Sequence, residues 1–168
     1  MDNKFKIIVV LPAYNEQESI GKLINRIIFY FKNYINIKYK IILVDDGSSD
    51  NTIDIVQKNC NPENLVLIEH RTNLGLGATI RDGLKKAVEI SEDKDIIITL
   101  DADNTHSPAI FSKMIYHIEE GHDIVIASRF RHGSRVIGVP FMRIIYSYIA
   151  FILFKIIMPI PGVRDYTC

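Results

Sequence analysis

The sequence has few of the residues that mark specialised classes of protein. Only two of its 168 residues are cysteines, Cys60 and Cys168, so it can build neither a disulfide framework nor a CxxC metal site. Its 20 basic and 20 acidic residues cancel, which argues against general nucleic-acid binding. The apolar run near the N-terminus is short and ends in a turn, which predicts a first strand and not a signal peptide. These absences favour a protein of the reducing cytoplasm.

The residues that are present predict one globular α/β domain. Hydrophobic residues make up 48% of the chain and charged residues 24%. Apolar runs of strand length alternate with segments of helical period, and five strands are predicted, at residues 6–11, 40–45, 65–70, 95–101 and 123–129. Strands this rich in Val and Ile, alternating with helices, predict a Rossmann-like, mostly parallel sheet with helices on both faces.

Polar clusters follow four of the five predicted strands. Ligands of parallel α/β sheets bind beyond the carboxyl ends of the strands, so these clusters are expected to meet at one rim. They are Tyr14, Asn15 and Glu16 after the first strand, Asp45 and Asp46 after the second, Asp101, Ala102 and Asp103 after the fourth, and Arg129 after the fifth.

The pair Asp101 and Asp103 admits more than one interpretation. Aspartates at strand–helix junctions often only cap turns. A DxD pair also suits a divalent cation, Mg²⁺ or Mn²⁺, because these ions prefer hard oxygen ligands and share them with diphosphates. A calcium-binding EF-hand is excluded, since loop positions six and twelve would be His106 and Ser112 in place of glycine and a carboxylate.

A phosphatase is a further interpretation of this pair. The segment LDADNT fits the DxDxT pattern of haloacid-dehalogenase-like phosphatases, in which the first aspartate is the nucleophile. In those enzymes the DxD normally follows the first strand and a second acidic pair comes late. Here the second acidic pair, Asp45 and Asp46, precedes the DxD, so the chain order disfavours this alternative.

Two loops have both a structural and a functional interpretation. The glycine-rich NLGLG, residues 73–77, is neither a P-loop nor a G-x-G-x-x-G motif, which favours a turn followed by close helix packing at the border of the pocket. The segment SRFRHGSR, residues 128–135, is either a solvated loop or a set of arginines able to grip phosphates.

The segment of residues 141–162 is apolar on nearly all sides. The 11 residues between Arg143 and Lys155 carry no charge, which is too short a stretch to span a bilayer. The segment is therefore either a core helix or a helix that lies in the membrane interface. The lack of a clear polar face favours contact with a membrane surface.

Five motifs together resemble a known family. VVLPAYNEQESI, ILVDDGSSDNT, NLGLGATIRDGLKKA, DADNTHSP and ASRF are similar, in order, to the motifs of family-2 glycosyltransferases of GT-A fold. The resemblance is greatest to dolichol-phosphate mannose synthases and related polyprenyl-phosphate glycosyltransferases. It implies a nucleotide-sugar-binding catalytic domain over residues 1–138, a membrane-interface or acceptor-side helical segment over 139–162, and the start of a C-terminal motif over 163–168.

The resemblance also implies an activity. The enzyme would move mannose or glucose, with inversion, from GDP-mannose or UDP-glucose to a polyprenyl or dolichyl phosphate at the cytosolic face of a membrane. Asp103 and Arg129 would be the catalytic residues, and Mg²⁺ or Mn²⁺ would be held by Asp101, Asp103 and Thr105. The substrate-binding residues would be Pro12, Tyr14, Glu16, Val44, Asp46, Asp101, Ala102, Asp103 and Arg129.

Two positions depart from the pattern of this family. Thr105 stands where the family commonly has a glutamine that helps to ligate the metal. VRDYTC resembles the start of a motif that normally continues D-x-T-x-G-F-R, but the sequence stops at Cys168, so we expect it to be a fragment. A truncated module that binds nucleotide without catalysis is therefore an alternative, and a membrane-anchoring partner chain is left open.

Overall fold

The computed structural model describes residues 5–35, 37–128 and 141–157. The chain forms two compact units, Met1–Ser112 and Lys113–Cys168. The strands within the described residues are β1 (Ile7–Ala13), β2 (Tyr39–Asp45), β3 (Leu65–Glu69) and β4 (Ile96–Thr99). The helices are α1 (Ile20–Tyr30), α2 (Thr52–Asn59), α3 (Leu76–Ile90), α4 (Phe111–Glu119) and α5 (Phe141–Ile157).

The first unit contains a parallel sheet with the strand order β3-β2-β1-β4. β1 pairs with β2 from Ile7↔Tyr39 to Ala13↔Asp45, and with β4 on its other side. The chain therefore runs from β1 to β2 on one side and later returns to the other side of β1 as β4. This reversal makes the β1/β4 edge a topological switch point, where parallel sheets hold their ligands. The predicted α/β fold with a mostly parallel sheet is confirmed.

The hydrophobic core lies on both faces of the sheet. On one face Ile8, Val10, Ile42 and Val44 pack with Ala87 of α3, and all five side chains are fully buried. The residues between them in β1, such as Val9, point to the opposite face and are equally buried. Burial on both faces explains why the strands are near-continuous runs of Val, Ile and Leu.

The predicted fifth strand is wrong over the residues that the structure describes. Residues 123–128 form no strand, and Ile124 and Ile126 are 79% and 41% exposed. An apolar run becomes a strand only if a neighbour accepts its hydrogen bonds and both of its faces are covered, and sequence pattern alone reveals neither condition. The fourth strand ends at Thr99 and not at residue 101, so Asp101 lies in the loop beyond it.

The second unit contributes most of α4 and all of α5. A 3₁₀ turn, Pro108–Ile110, leads into α4, and the Ser107 side chain caps this turn by accepting a hydrogen bond from the Ala109 N–H. α5 exposes several large apolar side chains, among them Tyr146, Ile149 and Ile156. None of the helices that the structure describes is long and apolar enough to cross a membrane. The predicted domain boundary at residue 138 lies outside the described residues.

Candidate functional site

A cleft of about 370 Å³ opens at the carboxyl ends of the strands in the first unit. This volume lies within the range of small-molecule pockets. The loops that follow β1, β2 and β4 supply three of its walls, and the start of α3 supplies the fourth. The lining residues are Pro12, Ala13, Tyr14, Glu16, Asp46, Asn73, Gly75, Leu76, Thr79, Asp101, Ala102 and Asp103.

The loop after β1 holds Tyr14 and Glu16 at the mouth of the cleft. Tyr14 is 48% exposed, so its ring is accessible to a ligand. Glu16 is fixed at both ends: its N–H donates to Thr52 Oγ1 at 2.8 Å, and its carboxylate accepts a hydrogen bond from the Ser19 hydroxyl. The loop therefore presents one aromatic ring and one carboxylate in defined positions.

Asn15 takes part in a loop-to-loop contact. Its backbone N–H donates to Ser48 Oγ at 2.9 Å, and its side-chain Oδ1 accepts from the Ser49 N–H at 2.9 Å. Asn15 lies outside helix α1, which begins at Ile20, and it has a φ of 55°. The left-handed backbone, which asparagine tolerates, turns the chain toward the loop after β2.

Asp46 is the most constrained carboxylate of the cleft. It is 3% exposed and accepts hydrogen bonds from the N–H groups of Leu74 and Gly75, at 2.9 and 2.8 Å, and from His70 Nδ1 at 2.7 Å. Burial alone would raise the pKa of Asp46, but the hydrogen bonds from His70, Leu74 and Gly75 outweigh it and lower the pKa. Asp46 is therefore an ionised hydrogen-bond acceptor at neutral pH.

The stability of the protein should depend on the ionisation of Asp46. Its pKa lies below the ordinary value of 3.8 in the folded state, so its contribution is present above that value and is lost as the pH falls through the folded pKa. We expect Asp46→Asn to lower the free energy of unfolding by about 1 kcal/mol at neutral pH and by less in acid. Urea unfolding at pH values of about 7 and 3 measures both. Equal losses at the two pH values would contradict the prediction, and Asp93→Asn, at an exposed turn, is the control.

Asp101 and Asp103 are exposed and line the cleft on either side of the buried Ala102. Asp103 Oδ1 accepts hydrogen bonds from the N–H and the hydroxyl of Thr105, at 2.9 and 2.7 Å. Both bonds converge on one carboxylate oxygen and hold the side chain in place. Two exposed carboxylates at a cleft form a hard-oxygen donor set that fits Mg²⁺ or Mn²⁺.

The Asp101–Asp103 pair is small for a metal site made of protein ligands alone. Among the described residues, His117, Glu120 and His122 of the second unit form a group of three with ligand atoms within 4.8 Å of one another, and the pair is not in such a group. A cation at the cleft would therefore take its remaining ligands from a diphosphate and water. Magnesium is commonly held in this way, through one or two carboxylates and substrate phosphates.

Seven of the nine predicted substrate-binding residues line this cleft. Val44 is fully buried in the core against Gly83 of α3, because the side chains of a strand alternate between faces. Arg129 lies outside the described residues. Thr105, predicted to be a metal ligand, is not among the lining residues and contacts the Asp103 side chain.

The glycine-rich segment contributes more to the cleft than its sequence indicates. Gly83 does allow close packing of α3, as predicted, yet Asn73, Gly75, Leu76 and Thr79 also line the cleft. Gly75 has a φ of 87°, which aims its N–H at Asp46. His70, behind Asp46, was not predicted as a site residue; its position directly after a strand is the available signal.

Comparison with known proteins agrees with this geometry. The profile of the family described as Glycosyl transferase family 2 matches residues 8–159. A dolichol-phosphate mannosyltransferase of Pyrococcus furiosus is 32% identical over 160 residues, which cover 95% of this chain and 43% of that protein. A UDP-N-acetylglucosamine–dolichyl-phosphate N-acetylglucosaminyltransferase of Methanococcus voltae is 33% identical, over 88% of this chain and 62% of that protein. The chain thus spans only part of each of these relatives.

Solved structures show the same fold. Glucosyl-3-phosphoglycerate synthase of Mycobacterium tuberculosis aligns with a TM-score of 0.64 and 21% identity, over 96% of this chain and 54% of that chain. TarS of S. aureus in complex with UDP-GlcNAc aligns with a TM-score of 0.55 and 26% identity, over 69% of this chain and 32% of that chain. The predicted resemblance, including the dolichol-phosphate mannose synthase branch, is confirmed. The chain belongs to glycosyltransferase family 2.

Proposed function

We propose that this chain carries the donor site of a metal-dependent, inverting glycosyltransferase that acts on a polyprenyl or dolichyl phosphate. The convergence of an accessible tyrosine, an ionised buried carboxylate and an exposed DxD pair in one cleft at the sheet's switch point carries the proposal. The tyrosine ring suits contact with a nucleoside base, and the buried carboxylate suits a hydrogen bond from that base. The DxD pair suits the cation that accompanies a diphosphate. The family match and the late position of the DxD both disfavour the phosphatase alternative.

The donor is a nucleoside diphosphate sugar. Tyr14 offers a ring for contact with the base, and the Asp46 carboxylate, which lines the cleft, would accept hydrogen bonds from N–H groups of the base. Both uracil and guanine present such donors, so this site is compatible with UDP-glucose and GDP-mannose. The Methanococcus relative is named for a UDP sugar and the Pyrococcus relative for a mannosyl transfer, which supports a donor of this class.

The chain's own residues would act on the diphosphate end of the donor. Asp101 and Asp103 would hold Mg²⁺ or Mn²⁺, which supplies positive charge to the departing nucleoside diphosphate. Thr105 fixes one Asp103 oxygen and thereby orients the carboxylate. Arg129, outside the described residues, remains the predicted second contact to the phosphates.

The acceptor is a lipid phosphate at a membrane surface. A polyprenyl monophosphate is an anion at neutral pH, so its oxygen can attack the anomeric carbon without a protein base, and in-line attack inverts that centre. The names of the relatives specify dolichyl or undecaprenyl phosphate acceptors. The large apolar side chains that α5 exposes, including Tyr146, Ile149 and Ile156, suit peripheral contact with the lipid.

A transfer assay tests the proposal. The purified chain is incubated with vesicles that contain dolichyl phosphate, Mn²⁺, and radiolabelled GDP-mannose or UDP-glucose, and label is counted in the lipid extract. We expect lipid-linked label that disappears when the metal is chelated. Nucleotide binding without transfer would instead identify a binding module that lacks catalysis. Phosphate release from simple phosphomonoesters in the same sample would contradict the transferase.

A further inference from the structure

His70 lies directly behind the cleft and contacts a carboxylate on each side. His70 directly follows β3, and its side chain is 7% exposed. Nδ1 lies 2.7 Å from Asp46 Oδ1, and Nε2 lies 3.3 Å from Asp82 Oδ2 on α3. His70 is not among the residues that line the cleft, but Asp46 is, so the contact with Asp46 connects His70 to the cleft.

We propose that His70 is a positioning residue that holds the Asp46 carboxylate in its acceptor orientation toward the cleft. The proposal rests on the proposed donor site, because it assigns His70 a role in that site's affinity for nucleotide. It adds a residue that never touches the ligand and that the sequence motifs do not indicate.

The hydrogen bonds around Asp46 make its orientation depend on His70. The N–H groups of Leu74 and Gly75, in the loop that precedes α3, donate one hydrogen bond to each carboxylate oxygen. His70 Nδ1 adds a second donor to Oδ1 from the end of β3. Donors that follow β3 and donors that precede α3 therefore hold the carboxylate together. Without His70, only the loop that precedes α3 would hold it.

The two ring nitrogens of His70 have different roles. The ionised Asp46 carboxylate has no proton to give, so Nδ1 must carry the hydrogen of this bond. Nε2 is buried and has no hydrogen-bond partner among the residues that the structure describes, although Asp82 Oδ2 lies 3.3 Å away and Asp82 is itself paired with Arg81. The Nδ1 contact is therefore the one that positions Asp46.

This asymmetry gives a matched pair of variants. The amide nitrogen of asparagine can replace Nδ1 of histidine, whereas that of glutamine reaches the place of Nε2. We therefore expect His70→Asn to preserve the donor to Asp46 and His70→Gln to lose it. The two variants control for each other, because both remove the imidazole and both retain a side-chain amide.

A measurement without ligand tests whether His70 positions the Asp46 carboxylate. In ¹⁵N-edited NMR spectra of the wild-type protein, we expect the Nδ1–H tautomer of His70, and amide resonances of Leu74 and Gly75 that move in His70→Gln but stay near their positions in His70→Asn. A neutral His70 that carries its proton on Nε2 would overturn the proposal. So would amide resonances that are equally displaced in the two variants.

Nucleotide titrations then test the effect on the site. With GDP and UDP as probes in the presence of Mn²⁺, we expect His70→Gln to weaken binding about tenfold and His70→Asn to stay within about threefold of wild type. Thermal unfolding of each variant separates this effect from loss of the fold. Equal affinity of His70→Gln and wild type would overturn the positioning role. If the wild type binds neither nucleotide, the proposed function fails, and the NMR result still decides whether His70 positions Asp46.

Discussion

Asp103→Ala is expected to lower the Mn²⁺-dependent affinity for GDP and UDP by about 100-fold. Asp103 is exposed in the cleft and held by Thr105, so it is the better oriented of the two DxD carboxylates. Its removal would leave Asp101 as the only carboxylate of the pair, and the cation that neutralises the diphosphate would be held weakly. Calorimetric titrations with and without Mn²⁺ measure the effect, and only the metal-dependent part of binding should change.

Two variants serve as controls for Asp103→Ala. Asp93→Ala removes an exposed carboxylate from the turn before β4, at the opposite end of the sheet, and should leave affinity unchanged. Thr105→Val removes one of the two hydrogen bonds to Asp103 and should have an intermediate effect. An unchanged metal response in Asp103→Ala would show that the cation is bound elsewhere.

Gly83→Ala is expected to lower the free energy of unfolding by about 3 kcal/mol, the upper part of the usual range for overpacking a core. A Cβ at position 83 would lie 2.4 Å from Val10 Cγ1 and 3.0 Å from Val44 Cγ2. Both valines are fully buried and branch at Cβ, so neither can rotate away easily. Helix α3 would have to move off the sheet. Denaturant unfolding monitored by circular dichroism measures the loss.

Gly77→Ala is the matched control on the same helix. A Cβ at position 77 meets no atom within 4 Å, so the substitution changes only the conformational freedom of the chain. Alanine is favoured over glycine in helices by about 0.5–1 kcal/mol, so this variant should be slightly more stable than wild type. Helix propensity favours alanine at both positions, so equal destabilisation by both substitutions would contradict a role for contact between position 83 and the sheet.

The fold could be predicted from sequence where one physical requirement produces a periodic pattern. The central strands β1 and β2 are apolar because they are buried on both faces, whereas β3 and β4 at the edges are only partly buried. All four strands lie within two residues of their predicted ends. The segment of residues 123–128 has a similar Val and Ile pattern but lacks a strand there. Strand pairing depends on which residues come near in space, so composition could not distinguish these cases.

The candidate site was predictable wherever a cleft residue directly follows a strand. Tyr14, Glu16, Asp46, Asp101 and Asp103 line the cleft because the carboxyl ends of parallel strands meet at one edge. Residues of the segment that precedes and begins α3, such as Asn73 and Thr79, were not predicted as site residues, because their place at the cleft depends on how that helix packs on the sheet. The side chain of Val44, which the motif resemblance included, faces the core, because a motif does not show which face of a strand each residue occupies.

The loops after β1 and β2 hold each other through reciprocal hydrogen bonds. The N–H groups of Asn15 and Gln17 donate to side chains of Ser48 and Asp50, and the Asn15 side chain accepts from the N–H of Ser49. Because each loop supplies hydrogen-bond partners to the other, we expect the two loops to open together. A substitution in the loop after β2, at Ser48 or Ser49, should therefore also change the exposure and mobility of Tyr14.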